Sequence, residues 1–206
     1  MKGLIIKDLL NLRKSLKTML VSLLFFGFYS FAMKSPEYLV GMATFMLSIM
    51  AITSIAYDEA SEWETFALAT PLSRKQLVLS KYALAGLLIL IGVLSSGLIS
   101  LFIIIPNKIS VWQLAIGAYI VAFIASLFIA ILLPFVYKFG VEKARIVSIT
   151  VFAIPAMLVF FLSKLNVPMP NANQLLTLAK FSPIFLILAF FISIKLSINF
   201  LAKKDI

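Results

Sequence analysis

Six long apolar runs, separated by short polar breaks, set the pattern of this chain. They cover about residues 18–33, 38–57, 82–105, 111–137, 146–165 and 184–201. A hydrocarbon core of about 30 Å takes roughly 20 helical residues to cross. Each run therefore predicts a transmembrane helix, the first being short enough to borrow residues from the segment before it. Lys34-Ser35-Pro36 and Pro106-Asn107-Lys108 predict tight turns. Residues 138–145 predict a short charged loop. A longer break at 164–183 carries Pro168, Pro170 and Asn171-Ala172-Asn173, followed by a short surface helix at 174–180.

The segment ahead of the first run has a different periodicity. In residues 4–17, Ile5, Leu9, Leu12 and Leu16 recur on one helical face, with Lys7, Asp8, Asn11, Lys14 and Ser15 on the other. A basic amphipathic helix beside a span lies in the membrane interface or extends that span into the cytoplasm. It has no small-x-small cleavage site after an apolar stretch, so it does not read as a signal peptide.

The sharpest interruption lies between the second and third runs. Asp58, Glu59, Glu62 and Glu64 are half of the chain's eight carboxylates. Each costs about 2.5–3.5 kcal/mol at a bilayer centre, so residues 58–81 predict a water-exposed loop. Ser61-Glu62-Trp63-Glu64 fits an S-x-x-E capping box, and Ser73-Arg74-Lys75-Gln76 fits an S-x-x-Q box. A short helix from Ser61 must end near Ala69, because Pro71 disfavours helix at the residue before it. The second box starts the helix that becomes the third span. Trp63, Phe66, Ala67 and Thr70 share one side of the short helix. So short a helix is marginal in water, so that side must dock, either at lipid headgroups or on a partner protein.

Composition makes the membrane reading firm. The chain of 206 residues is 63% hydrophobic, with a mean hydropathy of +1.11; soluble domains lie near 45–50% apolar. That describes one all-α integral membrane domain over 1–206. Neither cysteine nor histidine is present, which excludes disulfides, cysteine metal sites and the commonest general base. The net charge of +10 falls on residues flanking the apolar runs, so it points to anionic headgroups and topology rather than nucleic acid.

Charge also orients the chain. With the N-terminus in the cytoplasm, 13 of the 18 basic residues fall on inner segments and 4 on outer ones, with Lys195 inside the last span, near its inner end. Both termini and the 58–81 loop are therefore expected inside. Lys195 is expected to snorkel.

Within the spans, small residues recur every four positions: Gly92, Ser96 and Ser100 in the third, and Ala118, Ala122, Ser126 and Ala130 in the fourth. Such rows let helices approach closely, either inside the chain or at a dimer seam. Pro134 and Pro155 are kinks that either hinge or are merely tolerated. The spans hold no Asp, Glu, Arg or His at depth, and Lys195, the one candidate, lies near enough to the inner end to snorkel, which disfavours a proton-driven transporter. Asp58 stands alone and shallow, unlike the paired aspartates of an intramembrane protease. Phe and Leu are abundant in the spans, where they either face lipid or line a cavity suited to apolar or amphipathic cargo.

The start Met1-Lys2-Gly3-Leu4-Ile5-Ile6-Lys7-Asp8 and the run Asp58-Glu59, Glu62-Trp63-Glu64 and Thr70-Pro71-Leu72-Ser73-Arg74-Lys75, ending in Ser80-Lys81-Tyr82, resemble ABC-transporter permeases of the type-2 exporter class. Among these they are most similar to the permeases of bacterial peptide exporters, including the phenol-soluble-modulin exporters. The resemblance covers nearly the whole chain. It implies six spans behind an interfacial helix at 4–17, in the bacterial cytoplasmic membrane. It also implies a coupling loop at 58–81 whose Glu59, Glu62, Trp63, Glu64, Phe66, Arg74 and Lys75 meet a separate ATPase, and a second contact through Lys138, Glu142 and Lys143. ATP and Mg would belong to that ATPase; this chain has no G-x-x-x-x-G-K-[ST] run. A second permease copy, identical or a sister chain, would complete the transporter. The competing classes are a non-enzymatic scaffold, an immunity protein or a channel.

Overall fold

A computed structural model describes residues 1–107, 110–165 and 172–204, and among these it is helical with no strand. The elements are α1 (Lys2–Leu12), a single 3-10 turn (Arg13–Ser15), α2 (Leu16–Ala32), α3 (Pro36–Ala60), α4 (Trp63–Leu68), α5 (Arg74–Asn107), α6 (Val111–Phe139), α7 (Val141–Lys164) and α8 (Ala172–Ala202). Among the described residues, four helices are long and apolar enough to cross a membrane: α3, α5, α6 and the Ala179–Ala202 part of α8. A fifth span results if residues 2–32, bent by 67° just after the 3-10 turn, count as one crossing. The protein is thus a multi-pass membrane protein.

The chain divides into two compact units, Met1–Ile129 and Ala130–Lys204. The first is organised around α3, half of whose apolar window is buried, against 39% for α5. Gly92 explains how closely α5 packs on it. A Cβ on Gly92 would lie 2.7 Å from the Thr44 Cα, so only glycine permits this approach. Ser96 and Ser100 continue the same buried stripe. Ser96 donates to its own helix at the Gly92 carbonyl, which lets a polar residue face a neighbouring helix without an orphaned donor. The Ser100 and Thr44 hydroxyls are buried without a hydrogen-bond partner.

At the far end of α3, Val40, Ile104 and Leu114 form a core cluster, with Ala118 packed at its edge. Ala118, Ala122 and Ser126 are half-buried along α6. The turn between α2 and α3 is tight. Lys34 takes a left-handed φ of 54°, Pro36 opens α3, and Ser30 donates to the Ser35 carbonyl.

In the second unit, Gly140 (φ 81°) separates α6 from α7. The expected loop at 138–145 is therefore a one-residue break between two helix ends, because glycine adopts that positive φ without steric cost. Ser193 on α8 donates to the Ala130 carbonyl of α6. Pro134 lies inside α6 and Pro183 inside α8 without ending either helix. Pro155 falls within α7, its side chain outside the described residues.

Three local expectations are corrected. The 174–180 segment is the first part of α8, not a separate surface helix. The turn at 106–108 does not begin at Pro106, since α5 continues through Asn107; Lys108, with Pro168 and Pro170, lies outside the described residues. The stripe that α1 buries is Leu4, Asp8 and Leu12, while Ile6, Leu9 and Leu10 are exposed. Asp8 was expected on the solvated face. It turns inward because it has cationic partners there.

Candidate functional site

The site forms where α1, the end of α3, α4 and the start of α5 meet, all within the first unit. α5 has 34 residues, about 51 Å at 1.5 Å per residue. That exceeds the roughly 30 Å of a hydrocarbon core, so its polar first turns extend past the apolar zone. They begin with the expected box: Gln76 N–H donates to Ser73 Oγ at 3.2 Å, and Ser73 N–H donates to Gln76 Oε1 at 3.1 Å.

The other predicted box does not form. Ser61 closes α3 instead, donating its hydroxyl to the Tyr57 carbonyl at 2.8 Å. α4 opens at Trp63, after Glu62 in a left-handed conformation (φ 50°), with no side-chain cap. The motif is ambiguous in sequence: a serine after a helix can back-bond to the preceding turn as readily as it caps the next.

α3 runs on to Ala60, which carries Asp58 into a buried cluster instead of a water-exposed loop. Lys81 lies 2.8 Å from Asp8 Oδ1 and 2.6 Å from Asp58 Oδ2, and donates to Ser54 Oγ at 2.8 Å. Lys7 lies 2.9 Å from Asp8 Oδ1 and 2.6 Å from Asp58 Oδ1. The side chains of Asp8, Asp58 and Lys81 are 1%, 5% and 8% exposed. Two carboxylates and two ammonium groups thus cancel in charge, as burial demands. Asp58 is not alone, and its pairing with two cations suits structure rather than acid–base chemistry. The sequence reading missed this cluster because its members come from three separate helices. The one available signal was an aspartate inside the otherwise basic helix at 4–17.

The aromatic pair of α4 is divided between two environments. The Trp63 and Phe66 rings are 5.4 Å apart. Trp63 is half-buried, and the Lys7 ammonium sits 4.4 Å above its ring. Phe66 is 62% exposed, and Ala67 is the residue α4 buries completely. Glu59, Glu62 and Lys75 are exposed beside it, and Glu64 and Arg74 are half-buried. Ser15 and Tyr57 share a hydroxyl–hydroxyl bond of 2.9 Å, tying the 3-10 turn to α3.

Lys138, Glu142 and Lys143 belong to the second unit, all exposed around the Gly140 break. The Lys138 ammonium lies over the Phe139 ring. Lys195 is exposed on α8, its ammonium turned back one turn over Phe191 at 4.4 Å.

A domain of long apolar helices, with a charged foot and a short helix beside it, defines the class as a multi-pass membrane protein. The chain belongs to the ABC-2 family of transporter proteins: the model of that family, described as ABC-2 family transporter protein, matches residues 3–202. No curated protein matches the chain. Proteins of this family are normally the non-enzymatic membrane subunit, or permease, of an ABC transporter, partnered by an ABC ATPase.

Proposed function

We propose that the chain is the permease of an ATP-driven exporter in a bacterial cytoplasmic membrane, and that α4 is the coupling helix on which the ATPase docks. Phe66 carries this reading: a large aromatic residue, 62% exposed, on a short helix that is otherwise anchored through Ala67 and Trp63. Exposed aromatics of this kind act as anchors at protein interfaces. The excess of basic residues on the same segments supports a cytoplasmic position for α4 and both termini.

Six spans arise if α2 and α7 cross the membrane along with the four apolar helices. The family membership supports pairing with a second permease, identical or sister, and the exposed Lys138, Glu142 and Lys143 form a second ATPase contact. The exposed phenylalanines of α8, among them Phe181, Phe185 and Phe191, suit a hydrophobic or amphipathic cargo such as a peptide toxin or lipid-like molecule.

The test is co-purification of the Trp63→Ala/Phe66→Ala double variant with the ATPase encoded beside the permease. Loss of the ATPase from a variant that still inserts is expected. Normal co-purification overturns the assignment. Cargo-stimulated hydrolysis by the reconstituted complex separates an exporter from a scaffold, an immunity protein or a channel.

A further inference from the structure

We infer that Lys7, Asp8, Asp58 and Lys81 form a junction that fixes α4 to the feet of α3 and α5, with Lys7 as the positioning residue. The covalent route from α4 to α5 runs through Thr70-Pro71-Leu72-Ser73, a segment without regular structure of its own. It is a poor lever, because a loop bends before it transmits. The ionic cluster offers a second, stiffer route. Lys7 touches three groups on three elements: its neighbour Asp8 on α1, Asp58 on α3, and the Trp63 ring on α4. Lys81 then carries the connection from both carboxylates into α5, and its bond to Ser54 returns to α3 one turn before Asp58.

Each group has little freedom to move alone. Asp8 Oδ1 accepts both ammonium groups, and its Oδ2 is buried with no partner, so neither aspartate can exchange its cations for water without opening the helix contacts. Displacing Trp63 therefore shifts Lys7, and shifting Lys7 unbalances Asp58 and Lys81 together. A purely stabilising ion cluster has no need to reach α4; the cation over Trp63 is what makes this one a linkage. The segment ahead of the first span thus acts as a clamp on the coupling helix and not solely as a membrane anchor.

This inference rests on α4 being the coupling helix only in its consequence for ATP hydrolysis; the linkage itself is tested on the permease alone. The chain has two tryptophans and six tyrosines, so in a Trp112→Phe background, with excitation at the red edge where tyrosine does not absorb, the emission of detergent-purified full-length protein comes from Trp63. Asp58→Asn keeps shape, removes one charge and does not touch Trp63. At a temperature well below unfolding, it is expected to raise acrylamide quenching of Trp63 about twofold, as Lys7→Gln does, while Lys7→Arg keeps the parent value. Unchanged quenching in folded Asp58→Asn overturns the junction. Asp8→Asn replaces it, with the same two outcomes, where Asp58→Asn does not fold.

In the complex, the same aspartate variant is expected to retain the ATPase while permease-stimulated hydrolysis falls about fivefold or more. Full stimulation in a variant with raised quenching overturns the transmission role. If the parent permease binds no ATPase, the proposed function fails, and the quenching result still decides the junction.

Discussion

Lys81 directs all three of its ammonium protons at buried acceptors: the Asp8 and Asp58 carboxylates and the Ser54 hydroxyl. A buried ion pair gains little over a well-packed apolar pair, but breaking one by removing a single partner leaves an uncompensated charge and costs about 3–5 kcal/mol. Lys81→Met should lower stability by about that amount, measured by thermal or denaturant unfolding in detergent. A loss below ~1 kcal/mol would show that water reaches the carboxylates. None of this pairing follows from the spacing of the residues, since Asp8 and Lys81 are brought together across α1 and α5. Helical periodicity assigned Asp8 to the wrong face because it sorts residues by polarity, and a carboxylate with two buried cationic partners behaves as an inward-facing residue.

Helix ends and helix contacts make two further predictions. Ser73 and Gln76 form a reciprocal cap on α5, whereas Ser61 only back-bonds to α3. Ser73→Ala should destabilise the protein by about 1 kcal/mol, and Ser61→Ala by much less. Equal losses in unfolding midpoint would contradict the assignment of the caps. The second prediction concerns two glycines of α5. Gly92→Ala places a methyl group 2.7 Å from the Thr44 backbone, which must separate α3 from α5 at a cost of about 1–3 kcal/mol. Gly86 has nothing within 4 Å of an added Cβ, so Gly86→Ala should be neutral or stabilising by about 0.5–1 kcal/mol. The four-residue spacing of Gly92, Ser96 and Ser100 made a close helix contact legible in advance. Which helix makes it, α3, was not, because small residues specify an approach without naming the neighbour.

For the chain as a whole, the distribution of basic residues predicts that the 58–81 segment and both termini share one side of the membrane. The absence of native cysteine makes this directly measurable. Ala60, exposed at the end of α3, should react as Ala60→Cys with an impermeant maleimide in inside-out vesicles and not in intact cells. Labelling from outside would invert the topology. The same segment joins the two halves of the proposed function: Phe66 faces outward for a partner, and Trp63 faces inward onto Lys7.

The apolar runs, their flanking charges and the Ser73 box were readable along the chain because each reports a local or one-dimensional preference: hydrocarbon length, headgroup electrostatics, or a bond between residues three apart. The chain alone therefore settled that this is a multi-pass helical membrane protein with a polar, partly helical segment between its second and third apolar runs. The fate of that segment's charges was a three-dimensional matter. Asp58 is buried and Glu59 exposed, although they are neighbours of the same type. What separates them is the convergence of α1 and α5 on one face of α3, which supplies Lys7 and Lys81 to Asp58 and leaves Glu59 on the open side.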